Sequence, residues 1–100
     1  MSNVVPRAVP VALVPGATQV VKSSGPSTYL GIKVRETSAG ACVLRIWDNA
    51  SAASGKLLDI VVLASGGYVS QIMPFGIHVE NGIFIERVSG TNYEGSVLIG

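Results

Sequence analysis

The chain has few charged side chains: Asp, Glu, Lys and Arg make up 13% of its 100 residues, about half of the ~25% usual in globular proteins. Hydrophobic residues make up 48%. This balance predicts that association with other chains, beyond ordinary folding, removes surface from water. The alternative is a monomer whose surface is built from uncharged Ser, Thr, Asn and Gly. The formal net charge is +1, with scattered cations. Because nucleic-acid-binding proteins carry a basic stripe, we expect neither nucleic acid nor an anionic membrane as the main partner.

Cysteine and histidine are each represented once, by Cys42 and His78. A single cysteine excludes an internal disulfide and suits synthesis in a reducing cytoplasm. One histidine and one cysteine cannot complete a structural zinc site without carboxylates. We therefore expect no metal and no cofactor.

Catalytic constellations are also lacking. No nucleophile elbow accompanies His78, which is typical of a surface or interface histidine. Cys42 alternates with Leu44 and Ile46, which indicates a small core residue. The sequence selects no carboxylate pair for glycoside hydrolysis, because the acids lie on different strands and loops, at Asp48, Asp59, Glu80, Glu86 and Glu94. We expect that the protein is not an enzyme.

Long apolar runs are absent. Residues 8–17 could be mistaken for a signal peptide, but Pro10 and Pro15 interrupt them and only Arg7 precedes them. No stretch approaches the ~20 apolar residues of a membrane helix. We expect neither a signal peptide nor a membrane span.

Residues 1–17, MSNVVPRAVPVALVPGA, contain three prolines and one charged side chain. Proline at this spacing forbids a continuous helix and favours extended geometry. A water-exposed tail is normally polar, yet this segment carries four large apolar residues, Val9, Val11, Leu13 and Val14. The pattern predicts an extended arm, residues 1–17, that docks on a neighbouring subunit or a partner protein.

Residues 18–100 read as short strands separated by Gly, Ser and Asn. Period-two alternation predicts strands at 29–36, with Leu30, Ile32 and Val34 on one face, and at 41–48, with Cys42, Leu44 and Ile46 inward. Further strands are predicted at 18–22, 57–63, 68–73 and 94–99, with a break at 73–76. About eight strands and no helix predict an all-β fold, an antiparallel β-sandwich or jelly-roll-like barrel.

The strand at 57–63 is apolar on both faces, which is typical of a strand covered on both sides. Alternation assigns Leu58, Ile60 and Val62 to one face. The other face, with Leu57, Val61 and Leu63, is predicted to be covered by the arm or by another subunit.

Residues 77–88 are predicted to form a hairpin. A three-residue loop, Glu80-Asn81-Gly82, pairs Val79 with Ile83 and places the apolar residues on one face, with Gly82 in a left-handed conformation.

Trp47 lies at the end of a predicted strand, on its outward face, before Asp48. It could stack on a sugar, anchor a protein interface, or cover the edge of the sandwich.

Three segments carry a resemblance: VRETSAGACVLRIWD (34–48), SGKLLDIVVLASGG (54–67) and GIHVENGIFIERVSG (76–90). Their rhythm of strand, Gly/Ser turn, strand and Asn-Gly turn resembles small β-sandwich structural proteins of tailed bacteriophages. The resemblance covers about two thirds of the chain, from Leu30 to Gly100. It implies a homo-oligomer on a virion shell or tail, and it implies no catalytic residue.

The sequence therefore favours a structural virion protein, made in the host cytoplasm, and above all a capsid decoration (cement) protein. Its expected partners are the major capsid protein or another virion protein, and further copies of itself. Two alternatives remain open: a glycan-binding head or tail appendage, and a head-tail connector or tail-completion protein.

Overall fold

The computed structural model describes residues 9–14 and 18–100. Within these ranges the chain forms eight strands and no helix. The strands are β1 Val9–Ala12, β2 Gln19–Lys22, β3 Ser27–Glu36, β4 Cys42–Asp48, β5 Lys56–Leu63, β6 Tyr68–Val79, β7 Ile83–Ser89 and β8 Tyr93–Ile99. The all-β prediction is confirmed.

The strands form two antiparallel sheets of four strands each. Sheet I has the order β1-β8-β3-β6, and sheet II has the order β2-β7-β4-β5. Only β4 and β5 are neighbours both in sequence and within a sheet; every other connection between consecutive strands crosses from one sheet to the other. This strand order is that of the eight-stranded jelly roll.

The core lies between the sheets and is built by alternating residues, as the period of two requires. In β4, Cys42, Leu44 and Ile46 are fully buried, which confirms the predicted inward face. In β3 the alternation is interrupted, because the register with both neighbouring strands shifts between Tyr29 and Gly31. Tyr29 therefore belongs to the core cluster with Ile32 and Val34, in the place predicted for Leu30.

The predicted hairpin at 77–88 is wrong. β6 pairs with β3 in sheet I, whereas β7 pairs with β2 and β4 in sheet II. Val79 and Ile83 are both fully buried, but they reach the core from opposite sheets. The apolar pattern of two strands that share a core is the same in both arrangements, so the pattern could not distinguish them.

The predicted break at 73–76 does not end a strand, because β6 continues from Tyr68 to Val79. Ile72 pairs with Gly31 and Ile77 pairs with Tyr29. Four residues of β6 therefore lie opposite Leu30 alone, and this large β-bulge contains Pro74 and Phe75. Proline is tolerated at this position because a bulge on an edge strand does not need its missing N–H donor.

The described part of the predicted arm belongs to the sandwich. β1 pairs with β8 at the edge of sheet I, and the Leu13 N–H donates to the Gly95 carbonyl at 3.0 Å. Leu13 is only 6% exposed and joins the core cluster. The interface prediction is therefore wrong for Leu13. The apolar alternation of Val9, Val11 and Leu13 arises because these residues lie on the inward side of an edge strand.

Val11 is half-buried, while Val9 and Val14 are exposed. The other prolines of the predicted arm, Pro6 and Pro15, lie outside the described residues.

The prediction for β5 is wrong for Val61 and Leu63, which lie in the core and are 1% and 2% exposed. Leu57 pairs with Trp47 and Asp59 pairs with Ile46, so one extra residue intervenes in β5. This irregularity reverses the alternation. As a result Leu57 faces outward, whereas Val61 and Leu63, which also have odd numbers, face the core.

Candidate functional site

The outer face of sheet II carries a row of apolar side chains that crosses all four strands. Val20 pairs with Phe84, Phe84 with Trp47, and Trp47 with Leu57. Paired residues of antiparallel strands point to the same face. The row therefore lies on the surface that faces away from the core.

A second row on this face contains charged side chains. Arg45 pairs with Glu86 on β7 and with Ile60 on β5. The Trp47 indole Nε1–H donates to Glu86 Oε1 at 3.2 Å, and Arg45 Nη1 lies 3.9 Å from the same oxygen. The carboxylate thus has one hydrogen-bond donor and one more distant cation as neighbours on the sheet.

A third pair extends the apolar surface at the edge strand, where Val43 lies opposite Val62. We call the outward-facing set the apolar face of sheet II; it consists of Val20, Val43, Trp47, Leu57, Ile60, Val62 and Phe84. Four of its members are large exposed hydrophobic residues, at 42–67% exposure: Val20, Leu57, Ile60 and Val62. An antiparallel sheet that faces water on one side normally alternates with polar residues there.

The outer face of sheet I carries both polar and apolar side chains. A shallow depression of about 590 Å³ is lined by Lys33, Val34, Arg35, Tyr68, Glu94 and Gly95. Arg35 forms an ion pair with Glu94, and both side chains are more than half exposed. Strand β6 of the same sheet exposes the apolar side chains of Ile72, at 52%, and Phe75, at 98%.

Trp47 faces outward as predicted, but it is half-buried within the apolar row. Its indole N–H is already bonded to Glu86. Two aromatic side chains of sheet I are more exposed than Trp47: Tyr68, at 60%, beside the depression, and Phe75, at 98%, in the bulge of β6.

Two buried carboxylates fasten the loops at opposite ends of the sandwich. Asp48 accepts hydrogen bonds from the Glu80 N–H at 3.2 Å and the Asn81 N–H at 2.9 Å. Burial of Asp48 acts to raise its pKa, but the amides of Asn81, Glu80 and Gly82 together bring the pKa below its usual value. Asp48 is thus a structural anion that fixes the β6–β7 loop.

At the other end, Glu36 Oε1 accepts the Gly66 N–H at 2.8 Å, and Oε2 accepts the N–H and the hydroxyl of Ser38. The hydrogen bonds from Gly66 and Ser38 lower the pKa of Glu36 to about 2. Because its two oxygens together accept three hydrogen bonds, this carboxylate is a loop anchor and is poorly suited to proton transfer.

A third acid, Asp59, faces the seam between the edge strands β5 and β6. The Tyr29 hydroxyl donates to Asp59 Oδ2 at 2.8 Å, and Gln71 Nε2 lies 2.9 Å from the same oxygen. Burial raises the pKa of Tyr29, and the Asp59 carboxylate raises it further. These bonds explain why an acid can occupy the inward side of β5.

The remaining chemical candidates are not brought together. His78 is exposed on β6, and Cys42 is buried in the core. Residues 9–14 and 18–100 contain no group of three His, Cys, Asp or Glu side chains that could hold a metal ion. A helix long and apolar enough to cross a membrane is not found among these residues either.

Of the residues predicted for an interface, the apolar face of sheet II contains Leu57, and it also contains the predicted recognition residue Trp47. Sequence reasoning missed Val20, Val43, Ile60, Val62 and Phe84. The apolar character of both faces of β5 was a usable signal, but it did not show which face lies inward, so Val61 and Leu63 were assigned to the surface in place of Ile60 and Val62.

Comparison with known proteins gives no match: no family model, no curated protein and no solved structure matches this chain.

Proposed function

We propose that this chain is a structural virion protein, specifically a capsid decoration protein that lies on the major capsid protein through the apolar face of sheet II. The observation that carries the proposal is the exposure of Val20, Leu57, Ile60 and Val62 on the outer face of one sheet. Several exposed apolar side chains on one face of a sheet are typical of a protein-binding surface.

Burial of apolar area would drive such a contact. A stable interface buries about 800 Å² on each partner, and its apolar part contributes ~25 cal/mol per Å² before the cost of association is subtracted. The Arg45–Glu86 ion pair would be covered as well, and its desolvation would offset part of the gain.

Three further observations support the proposal. The jelly roll is frequent in viral capsid proteins, although lectins share it, so this support is an analogy of fold. The net charge of +1 is compatible with a protein partner. The segments at 34–48, 54–67 and 76–90 resemble small structural proteins of tailed bacteriophages.

The test is binding to emptied phage heads. A Val20→Glu, Leu57→Glu double variant places two charges in the apolar row. We expect the unaltered chain to co-sediment with the heads and the double variant to remain in the supernatant. Ser70→Glu, on the exposed outer side of sheet I, is the matched control and keeps binding. If mass spectrometry does not detect the chain in purified virions, the proposal is rejected.

A second candidate function is a glycan-binding appendage. It is favoured by exposed Tyr68 beside the depression that Lys33, Arg35 and Glu94 line, because aromatic rings stack on sugars while charged groups bind hydroxyls. A glycan array separates the two functions. Binding that is lost in Tyr68→Ala or Trp47→Ala supports the appendage, whereas an array without signal supports the structural role.

A further inference from the structure

The depression on the outer face of sheet I contains a cross-strand row of three side chains. Arg35 on β3 pairs with Tyr68 on β6 and with Glu94 on β8. Side chains of paired residues lie on the same face of a sheet, with Cβ atoms about 5 Å apart. Glu94 accepts a hydrogen bond from Arg35 Nη2, and the guanidinium has no other side-chain partner among the residues that the structure describes. The remaining N–H donors of Arg35 are therefore available to a ligand.

Lys33 lies in the neighbouring row, two residues before Arg35 on the same strand. It pairs with Ser70 and Ser96, so its own row contains no acid. Lys33 is exposed, and within residues 9–14 and 18–100 its ammonium forms no ion pair. Two cations and one anion line the depression, which leaves it with one net positive charge.

Loop contacts hold together the strand ends that surround the depression. Glu36, at the end of β3, accepts the Gly66 N–H at 2.8 Å, and its own N–H donates to the Gly67 carbonyl at 2.9 Å, so the turn before β6 is fixed. The Thr37 N–H donates to the Asn92 carbonyl at 3.2 Å, which fixes the loop before β8. A site that is ordered before its ligand arrives loses less free energy on binding.

We propose that this depression binds a carboxylated sugar, that is, a pyranose ring that carries a carboxylate. The carboxylate lies between the Lys33 ammonium and the unused N–H donors of Arg35, and it neutralises the net positive charge of the depression. The ring stacks on Tyr68, which is 60% exposed. Glu94 accepts hydrogen bonds from the sugar hydroxyls.

The shape and charge of the depression favour this class of ligand. Its volume of about 590 Å³ is within the range of small-molecule sites. The depression is shallow, so one side of the ligand stays in water, which suits a molecule rich in hydroxyls better than an apolar one. Glu94 repels polyphosphates, and a nucleic acid would require a basic stripe that this face lacks.

The inference rests on the second candidate function, a glycan-binding appendage, and names its class of ligand. It does not depend on shell binding, because the depression and the apolar face of sheet II lie on opposite sides of the sandwich. A chain that fails to co-sediment with heads can still bind carboxylated sugars. An array signal from neutral glycans alone would keep the candidate function and overturn this inference.

The experiment is an NMR titration of the isotopically labelled full chain. Methyl glucuronide and methyl glucoside are the matched probes, because one carries a carboxylate where the other carries a hydroxymethyl group. N-acetylneuraminic acid represents a second source of carboxylated sugars. We expect the acidic sugars to bind at least about tenfold more tightly than the glucoside, with shifts at the amides of residues 33–35, 68 and 94–95. Binding of either acidic sugar alone supports the proposal and identifies the source.

Three variants assign the contacts. Lys33→Gln removes one cation from the depression, and we expect it to weaken binding of the acidic sugar by about tenfold while the affinity for the glucoside is unchanged. Tyr68→Ala weakens the binding of both sugars. Lys22→Gln is the matched control, because it removes the same charge from β2 in sheet II, and we expect it to keep the affinity of the unaltered chain.

Equal affinities for the glucuronide and the glucoside overturn the proposal. So does acetate that binds as tightly as the glucuronide, because the depression would then recognise an anion without a sugar ring. An unchanged affinity in Lys33→Gln has the same consequence, and the spectrum of this surface variant shows directly that it is folded.

Discussion

At the scale of single residues, buried carboxylates organise the loops of this protein. Glu36 binds the amides of Ser38 and Gly66 and so joins the turn after β3 to the turn before β6. Asp48 serves the same purpose at the opposite end, where it binds the amides of Glu80 and Asn81. The sequence indicated no structural role for either acid, because spacing along the chain contains no information on which loop amides will converge on a carboxylate.

Glu36 gives a prediction on pH. Its pKa is about 2 in the folded chain against a usual 4.5, so unfolding takes up a proton between these values. Its contribution to stability is complete above about pH 4.5 and is lost as the pH falls toward 2. We expect Glu36→Gln to lower the melting temperature at pH 7 and to flatten its dependence on pH in that window.

Thermal unfolding followed by circular dichroism between pH 7 and pH 2 measures this. Glu94→Gln is the control, because its carboxylate is exposed and paired with Arg35 on the surface. A Glu36→Gln chain with the same pH profile as the unaltered protein would contradict the assigned role.

At the scale of strands, the sequence predicted where most strands lie, because alternation is strong in β3, β4 and the end of β8. It failed at irregularities. One extra residue in β3 brings Tyr29 into the place predicted for Leu30, and one extra residue in β5 puts Leu57 on the opposite face from Val61 and Leu63. Because both faces of β5 are apolar, alternation could not show that Val61 and Leu63 face the core. A bulge is set by contacts with neighbouring strands, so the alternation of a single strand cannot show it.

Gly31 marks the irregularity of β3 and gives a prediction. Its φ is +142°, and a Cβ at this position would lie 2.0 Å from the Gln71 carbonyl oxygen. We expect Gly31→Ala to lower the free energy of unfolding by about 2–4 kcal/mol, because both backbone strain and a backbone clash arise.

Gly40→Ala is the matched control, since no atom lies within 4 Å of the added Cβ. Denaturant unfolding of both variants measures the difference. Equal stability of the two would show that β3 tolerates a regular register.

At the scale of the whole molecule, the sequence predicted an all-β sandwich but not the assignment of strands to sheets. The alternating pattern reports which side of a strand is buried, and it does not report the neighbouring strand. The supposed hairpin at 77–88 and the supposed free arm both failed for this reason. In each case a strand with the expected inward face lies in a sheet that the pattern could not identify.

Leu13 tests whether the N-terminal strand is part of the body of the protein. Leu13 is in the core cluster, whereas its neighbour Val14 is 51% exposed. We expect Leu13→Ala to cost about 2–4 kcal/mol of unfolding free energy and Val14→Ala to cost about 0.5 kcal/mol or less. Denaturant unfolding compares them, and similar costs for both would mean that β1 does not contribute to the core.

The strand order of sheet I also has a consequence for biosynthesis. β8 lies between β1 and β3, so strands that are far apart in the sequence are direct neighbours. Sheet I cannot close before β8 has been translated, and until then β1 and β3 have an unfilled gap between them. Pairings between such distant parts of a chain form slowly, so closure of sheet I is expected to be a late step in the folding of this protein.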